Sequence, residues 1–409
     1  MNILLLSGHG IDMHVDGGRL HIKEGHDKEK SDPKEYVYKP KHIDLDNIVV
    51  YGHSGNITLD AIKWLTKQNV QITVLNWDGR LLTTIMPPES KQSMTRMAQY
   101  RAYENGHRVD IAKKIIDAKI RNSIAVLNWL GERYREVADS KEQIMKEIRV
   151  SWSQLPKVTT IKHVMGIEGM AARAYWDTVS KIIDDRLEFD GRVYGKTFRP
   201  MEAVDPVNAL FNYGYSILES LCWKALNSNG LDPYVGFLHE MTKGNAPLVY
   251  DLQEPFRWLV DVAVMTGLEK GLFDKKDFVR TENYNIRIRQ RGVEKLIGEV
   301  VEQISRKVPY QKANYAWSYV ISMKARELAH YIVGKRKLID FSSPEPDLKR
   351  KDTFELREKI LRMPYSEWKK MGYSEGTLHY LKEMAKAGYP QRIGHETSRR
   401  FGTIEGETL

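Results

Sequence analysis

The sequence predicts an α+β chain in three parts: a small β-rich N-terminal domain, a larger all-helical domain and a C-terminal helix-turn-helix. Three observations predict it. Short apolar runs separated by turn residues fill residues 2–86. From residue 93 to about 340, apolar residues recur at helical spacing instead. Beyond Phe341-Ser342-Ser343-Pro344-Glu345-Pro346, a linker by composition, three short amphipathic segments follow. The chain therefore divides into 1–86, 93–340, 353–388 and a flexible tail, 389–409.

A length of 409 residues is ample for a buried core in two or three domains. Lys and Arg number 63 against 54 Asp and Glu, a net charge of +9, which favours a polyanionic partner without specifying nucleic acid. The single cysteine, Cys222, excludes an internal disulfide framework and fits a reducing cytoplasm. The opening Met-Asn-Ile-Leu-Leu-Leu run is too short for a signal peptide and lacks a basic leader. Nowhere do about 18 apolar residues run uninterrupted, so a soluble protein is expected.

In the β-rich part, apolar runs at 3–6, 20–22, 48–51, 70–75 and 81–85 alternate with Gly17-Gly18, Gly55-Asn56 and Asp78-Gly79. One helical pattern, 58–67, interrupts them through Leu59, Ile62 and Leu65. Gly8-His9-Gly10 lacks the third glycine and following helix of a dinucleotide fingerprint. His9 and His14, like His21 and His26, stand five apart, a spacing open to zinc; with no cysteine nearby they read as surface or turn histidines.

Pro87-Pro88-Glu89-Ser90 breaks the chain. Residues 94–139 then place Ile111, Ile115, Ile116, Ile120, Ile124 and Leu127 at helical spacing. Lys113, Lys114, Lys119 and Arg121 between them form either a solvated face or a stripe that tracks phosphates. Helical periodicity continues over 175–186 and 206–227, the latter burying Leu210, Phe211, Tyr215, Leu218 and Leu221. Over 280–291, Arg287 and Arg289 alternate with Ile286 and Ile288 and Arg291 follows: an extended ribbon whose basic face holds a phosphate backbone or is simply solvated. Residues 305–334 read as one further helix.

The last segments read as helices over 354–363, 366–371 and 375–387, with Trp368 a core anchor, Gly372 a turn and Ser374 an N-cap. Leu378, Leu381 and Met384 face inward, leaving Thr377, His379, Tyr380 and Lys382 for a DNA groove. A general three-helix interaction domain has the same shape.

Three stretches carry the chemistry. In His163-Val164-Met165-Gly166-Ile167-Glu168-Gly169-Met170-Ala171-Ala172-Arg173-Ala174-Tyr175-Trp176, one carboxylate stands between two glycines ahead of an alanine-rich helix. Glu168 is either a helix-entry residue favoured by the dipole or a functional acid. Gly236-Phe237-Leu238-His239-Glu240 supplies an imidazole, and Leu248-Val249-Tyr250-Asp251-Leu252-Gln253-Glu254-Pro255-Phe256-Arg257 two carboxylates. Asp251 and Glu254, three apart, project from one helical face, with Pro255 in the first turn of a helix. Neighbouring carboxylates repel unless a cation or proton holds them. Together with Glu168 and His239 they suit a hard cation with mixed N/O ligands, Mn²⁺ or Mg²⁺, Mn²⁺ accepting nitrogen more readily.

In this order and spacing the three motifs resemble the CRISPR-associated spacer integrase family, over roughly residues 1–340. The resemblance implies a β-rich domain followed by a helical catalytic domain, metal ligands at Glu168, His239 and Glu254, and Asp251 as an adjacent acidic partner. It also implies dimers formed through the N-terminal domains. Trp258 stands where many members carry proline, a departure that concerns packing. Such integrases normally end near the linker, and a core of this kind with an added helix-turn-helix resembles the casposases, the transposases of casposons. The activity implied is metal-dependent joining of a DNA 3′-hydroxyl to target duplex by transesterification, by at least a homodimer. It needs no ATP, in keeping with the absence of a Walker A motif. The alternatives are a CRISPR adaptation endonuclease/integrase working with a small partner protein, and a non-catalytic DNA-binding protein using only the helix-turn-helix and the basic ribbon.

Overall fold

The computed structural model describes all residues except 1, 27–32, 88–91, 185–186, 190, 193–202, 243, 345–359, 371, 373 and 387–409. Its N-terminal part is a mixed six-stranded sheet in the order β3-β2-β1-β4-β5-β6. The strands are β1 (Asn2–Asp16), β2 (Arg19–Lys23), β3 (Glu35–Tyr38), β4 (Leu45–Ile57), β5 (Gln71–Leu75) and β6 (Leu81–Ile85). β1 runs parallel to β4, and β4 to β5, so the crossover α1 (Leu59–Lys67) joins the last pair. Thr58 caps α1 by accepting from the Ala61 N–H. Period-two alternation divides the sheet between two cores. Ile48, Leu6, Met13 and Ile72 pack with Trp64 and Leu65 of α1, whereas Val49, Tyr51 and Leu75 face the helical body.

The helical body comprises α2 (Ser93–Glu104), α3 (His107–Gly131), α4 (Arg135–Trp152), α5 (Ile161–Ser180), α6 (Pro206–Ser228), α7 (Pro247–Gln253) and α8 (Arg257–Glu269). The helical run expected over 94–139 is thus divided at Asn105-Gly106 and again after Gly131. β7 (Phe278–Arg280) and β8 (Ile286–Ile288) form a hairpin, followed by α9 (Gln290–Ser305). Residues 305–334 are not one helix: the hairpin β9 (Lys307–Tyr310) and β10 (Ala313–Ala316) precedes α10 (Trp317–Ile332). Pro309 lies in β9, and its missing N–H keeps that stretch out of a helix interior. α6 is the central helix, with Phe211, Ile217, Leu218 and Cys222 all buried. Among the described residues, no helix is long and apolar enough to cross a membrane.

The sheet docks on this body through polar as well as apolar contacts. Ser7 donates to Glu294 (2.6 Å), Gln71 to the Ser220 carbonyl (3.2 Å) and Lys224 to the Asp46 carbonyl (2.9 Å). The turn between β5 and β6 also packs on the body. Gly79, at φ +83°, lies so close to Tyr213 that an added Cβ would fall 2.2 Å from its ring. The Tyr213 hydroxyl donates to the Trp77 carbonyl at 2.8 Å.

Near the C-terminus, α11 (Tyr365–Lys370) and α12 (Glu375–Lys386) follow a helical turn ending at Arg362. Trp368, Ile360, Met363, Leu378 and Leu381 form a small core of their own. Ser374 accepts from the Thr377 N–H at 3.2 Å, and Gly372 turns the chain at φ +83°. Thr377, His379 and Tyr380 are exposed on α12 and Lys382 partly so. Most of the expected helix over 354–363, and the tail 389–409, lie outside the described residues.

Candidate active site

Glu168 is not at a helix start. Thr160 caps α5 by accepting from the His163 N–H, so Glu168 stands two turns inside, with Gly166 and Gly169 as ordinary helical residues. The residue that begins the helix is the one whose side chain satisfies its open N–H groups, and threonine does so here. Buried Val164, Ile167, Ala171 and Tyr175 fix the rotation of α5, and Glu168 projects from the edge of that stripe into a cleft.

His239 and Asp251 are built as a unit. Asp251, fully buried on α7, accepts the backbone N–H groups of Phe237, Leu238 and His239 at 2.5, 2.9 and 3.0 Å. Its Oδ1 also lies 2.8 Å from His239 Nδ1. Gly236 makes this wrap possible: a Cβ there would meet Pro247 at 2.7 Å and Asp251 Oδ2 at 3.0 Å. A carboxylate already accepting three N–H bonds takes a fourth donor, so Nδ1 carries the proton and the Nε2 lone pair is left free. Nε2 points toward Glu254 Oε1, 4.0 Å away.

Glu254 opens a short 3₁₀ turn, Glu254–Phe256, that carries α7 into α8 around Pro255. Asn122 of α3 holds the turn, donating to the Pro255 carbonyl at 2.8 Å. Trp258 packs edge-to-face on Trp317, at 5.0 Å between centroids.

Lys119 completes the cluster. Its ammonium lies 2.5 Å from Glu168 Oε1 and 2.5 Å from Glu254 Oε2, between the two acids. Arg257 approaches Glu254 Oε1 at 3.6 Å and lies over the Tyr215 ring, 3.9 Å from its centroid. Tyr215 in turn donates to buried Asp261 at 2.5 Å, as Tyr175 does at 2.9 Å.

Charge and burial set the protonation states. Burial would raise the Glu254 carboxyl, but Lys119, Arg257 and His239 overcome it and hold it well below the usual range. Burial pulls the Lys119 ammonium down, yet Glu254 and Glu168 more than offset this and keep it charged. Burial likewise lowers His239, while the Asp251 hydrogen bond and the charges of Asp251 and Glu254 raise it to a net upward shift. Asp261 is raised by burial, against the two tyrosine hydrogen bonds and Arg257.

These groups line one cleft of about 1020 Å³, with Arg173 and Arg192 from the helical body and Arg80 from the β5–β6 turn. Arg287 lines it too, which corrects the basic ribbon. β8 is covered on both sides, so Ile286, Arg287 and Ile288 are all buried, Arg287 to 6% exposure. Its guanidinium lies 4.9 Å from the Trp77 ring centroid. Arg289 is exposed at the head of α9, and Arg291 belongs to that helix beside Asp274 (3.8 Å) and Asp277 (3.7 Å). The three arginines share no face.

Glu168, His239 and Glu254 therefore converge, with Asp251 behind the imidazole. Among the described residues no three His, Cys, Asp or Glu side chains stand ready around one point as metal ligands, because the Lys119 ammonium occupies the space between the glutamates. In donor chemistry the set fits a hard divalent cation: two carboxylates and one imidazole, with buried Glu254 Oε2 already held by a cation, the Lys119 ammonium at 2.5 Å. Lys119, Arg192 and Asp261 line the cleft although none of them lies in the three motifs. For Lys119 a signal existed: it shares the stripe of Ala112, Ile115, Ile116 and Val126, where an apolar residue belongs.

Comparison with known proteins decides the family. The family model described as CRISPR associated protein Cas1 matches residues 4–302. A CRISPR-associated endonuclease Cas1 from Archaeoglobus fulgidus is 32% identical over 348 residues, covering 83% of this chain and 98% of the relative. The chain belongs to the Cas1 family. Another Cas1 endonuclease, from Pyrobaculum aerophilum, is 32% identical over 222 residues, 54% of this chain and 70% of that one. Among solved structures, a casposase bound to integration product is 46% identical, covers 89% of this chain and 100% of its own, and superposes with a TM-score of 0.79. A Cas1 protein from Thermotoga maritima, at 19% identity and a TM-score of 0.64 over 84% of this chain and 100% of that one, shares the fold. The α+β architecture is thus that of the Cas1 and casposase proteins.

Proposed function

We propose that the protein is a divalent-metal-dependent DNA integrase of the casposase kind, joining the 3′-hydroxyl of a DNA end to a target strand by transesterification. The observation that carries this reading is the convergence of Glu168, His239 and Glu254 in one cation-lined cleft, with Asp251 holding the imidazole. The 46% identity to a casposase seen with its integration product supports it.

Glu168, His239 and Glu254 would hold Mn²⁺ or Mg²⁺. Such an ion, when bound, offsets phosphate charge and favours ionisation of an attacking hydroxyl. The protein's own part is positioning. Asp251 fixes the tautomer that turns the Nε2 lone pair into the cleft. Arg257, braced on Tyr215, and Arg192, held by Asn208 and Asn212 at 3.0 Å each, present cations to a phosphate backbone. Joining exchanges one phosphodiester for another, so no nucleotide cofactor is needed. The exposed Thr377, His379, Tyr380 and Lys382 of α12 would meet a DNA groove. Arg289 and Arg291 would add phosphate contacts outside the cleft. The domain divisions at 86, 93, 340 and 353 are part of the reading, with the N-terminal sheet as the dimerisation unit.

A second reading is favoured by the Archaeoglobus relative named as a CRISPR-associated endonuclease: insertion of spacers together with a small partner protein. One assay separates the two. Purified protein is given Mn²⁺, a short duplex with a free 3′-hydroxyl and a plasmid. Joining without any partner supports the casposase reading. Joining that appears only with a partner protein supports the adaptation reading, and no joining in either case refutes both.

A further inference from the structure

Lys119 holds the space that a divalent cation would claim. Its ammonium stands within 2.5 Å of one oxygen from each glutamate, Glu168 and Glu254. These are the two carboxylates that the proposed site needs, so the inference rests on that reading. A lysine and a doubly charged ion cannot share such a space: like charges a few ångströms apart in a poorly solvated site repel strongly. Either the ammonium excludes the ion or it yields to it.

The surroundings favour yielding. Lys119 is not sealed in: it lines the cleft, and its side chain keeps 19% exposure. Its flanking residues Ala118 and Ile120 are buried, so the backbone of α3 stays fixed while a four-carbon stem swings. Once displaced, the ammonium needs a new anion. Of the other acids that line the cleft, Asp261 is engaged by two tyrosines and Asp78 by Arg80 at 3.3 Å, burial pushes the Glu219 carboxyl up to about 7, and Asp177 is exposed to solvent. A phosphate entering the cleft is the partner of matching charge.

We propose that Lys119 competes with the divalent ion for Glu168 and Glu254, and that DNA phosphate, by accepting the displaced ammonium, tightens ion binding. Lys119 is then a positioning residue with two partners. It holds the two acids together without an ion, and it couples ion loading to the arrival of DNA. Coupling of this kind is reciprocal, so the ion tightens DNA binding by the same factor.

The test is titration of Mn²⁺ into the full-length protein and its Lys119→Met variant, with and without a short duplex, by calorimetry. Without DNA, the variant is expected to bind Mn²⁺ at least about fivefold tighter than the wild type, the low end of ordinary coupling. Duplex should then tighten Mn²⁺ binding by the wild type and leave the variant nearly unchanged. Equal or weaker Mn²⁺ binding by a folded Lys119→Met protein overturns the inference. A Glu254→Gln control keeps this separate from the site itself: if it binds Mn²⁺ as the wild type does, the site reading fails instead. The wild type alone gives a second measurement. The Nζ resonance of the ion-paired Lys119 should move on adding Mg²⁺, and a resonance unmoved at saturating Mg²⁺ overturns the proposal.

Discussion

Asp251 Oδ1 lies 2.8 Å from His239 Nδ1 while the same carboxylate accepts three successive backbone N–H groups, 237 to 239. One buried acid therefore sets both the path of a loop and the tautomer of its imidazole. Asp251→Asn replaces an acceptor oxygen by an NH₂ group facing donors. We expect Mn²⁺ affinity and joining to fall about 10- to 100-fold, the usual cost of losing the partner behind a ligand. Titration of Mn²⁺ beside a joining assay checks this, and an unchanged affinity contradicts the role given to Asp251.

The site was legible in sequence to the extent that its chemistry lies in short motifs. Asp251 and Glu254 are three apart, and the helix and 3₁₀ turn around Pro255 bring both to one side. Gly236 stands three residues before His239 because the loop must cross Asp251 closely. What no local pattern reveals is which long-range partner fills a gap. Lys119 looked like one more cation in a basic helix, yet it is the bridge between two acids far along the chain. Arg287 misled for a similar reason. Strict alternation describes a strand with one wet face, and β8 has none. The sheet was more legible, since its runs near 48–51, 70–75 and 81–85 carry alternation and turn signals together. β3, with its partly buried pattern, lacked such contrast.

Gly79→Ala tests the docking of the sheet on the helical body. The residue would bring a Cβ to 2.2 Å from the Tyr213 ring at a φ of +83°, where L side chains are strained. Destabilisation on the order of 2–4 kcal/mol is expected, from overpacking and backbone strain together. Denaturant unfolding measures it.

Glu219 supplies a pH dependence. It lines the cleft from α6, and burial pushes its carboxyl up to about 7, against a hydrogen bond with Trp223. Between the ordinary carboxyl range and that value, the folded protein binds the proton and the unfolded chain does not. The contribution to stability therefore falls as pH rises through this window. Glu219→Gln should raise the melting temperature at pH 8, by a stabilisation on the order of 1–3 kcal/mol. The advantage should vanish near pH 4. Melting curves across that range check the sign.

Removal of residues 345–409 separates recognition from chemistry. The core around Trp368 is separate from the main one. The truncated protein should keep Mn²⁺-dependent joining of generic duplex and lose preference among DNA ends or targets. Complete loss of joining in a folded truncation would place the tail in the active site.

The central claim is that Glu168, His239 and Glu254 act together on DNA through a divalent ion. The most direct measurement is plasmid joining of a short 3′-hydroxyl duplex by the wild type, His239→Ala and Glu254→Ala, with Mn²⁺ and with EDTA. We predict joining by the wild type with Mn²⁺, none with EDTA, and a loss of at least about a hundredfold in either variant, with DNA retention reduced only by the loss of its coupling to the ion. Joining by either variant at the wild-type rate, or wild-type joining undiminished in EDTA, would contradict the account.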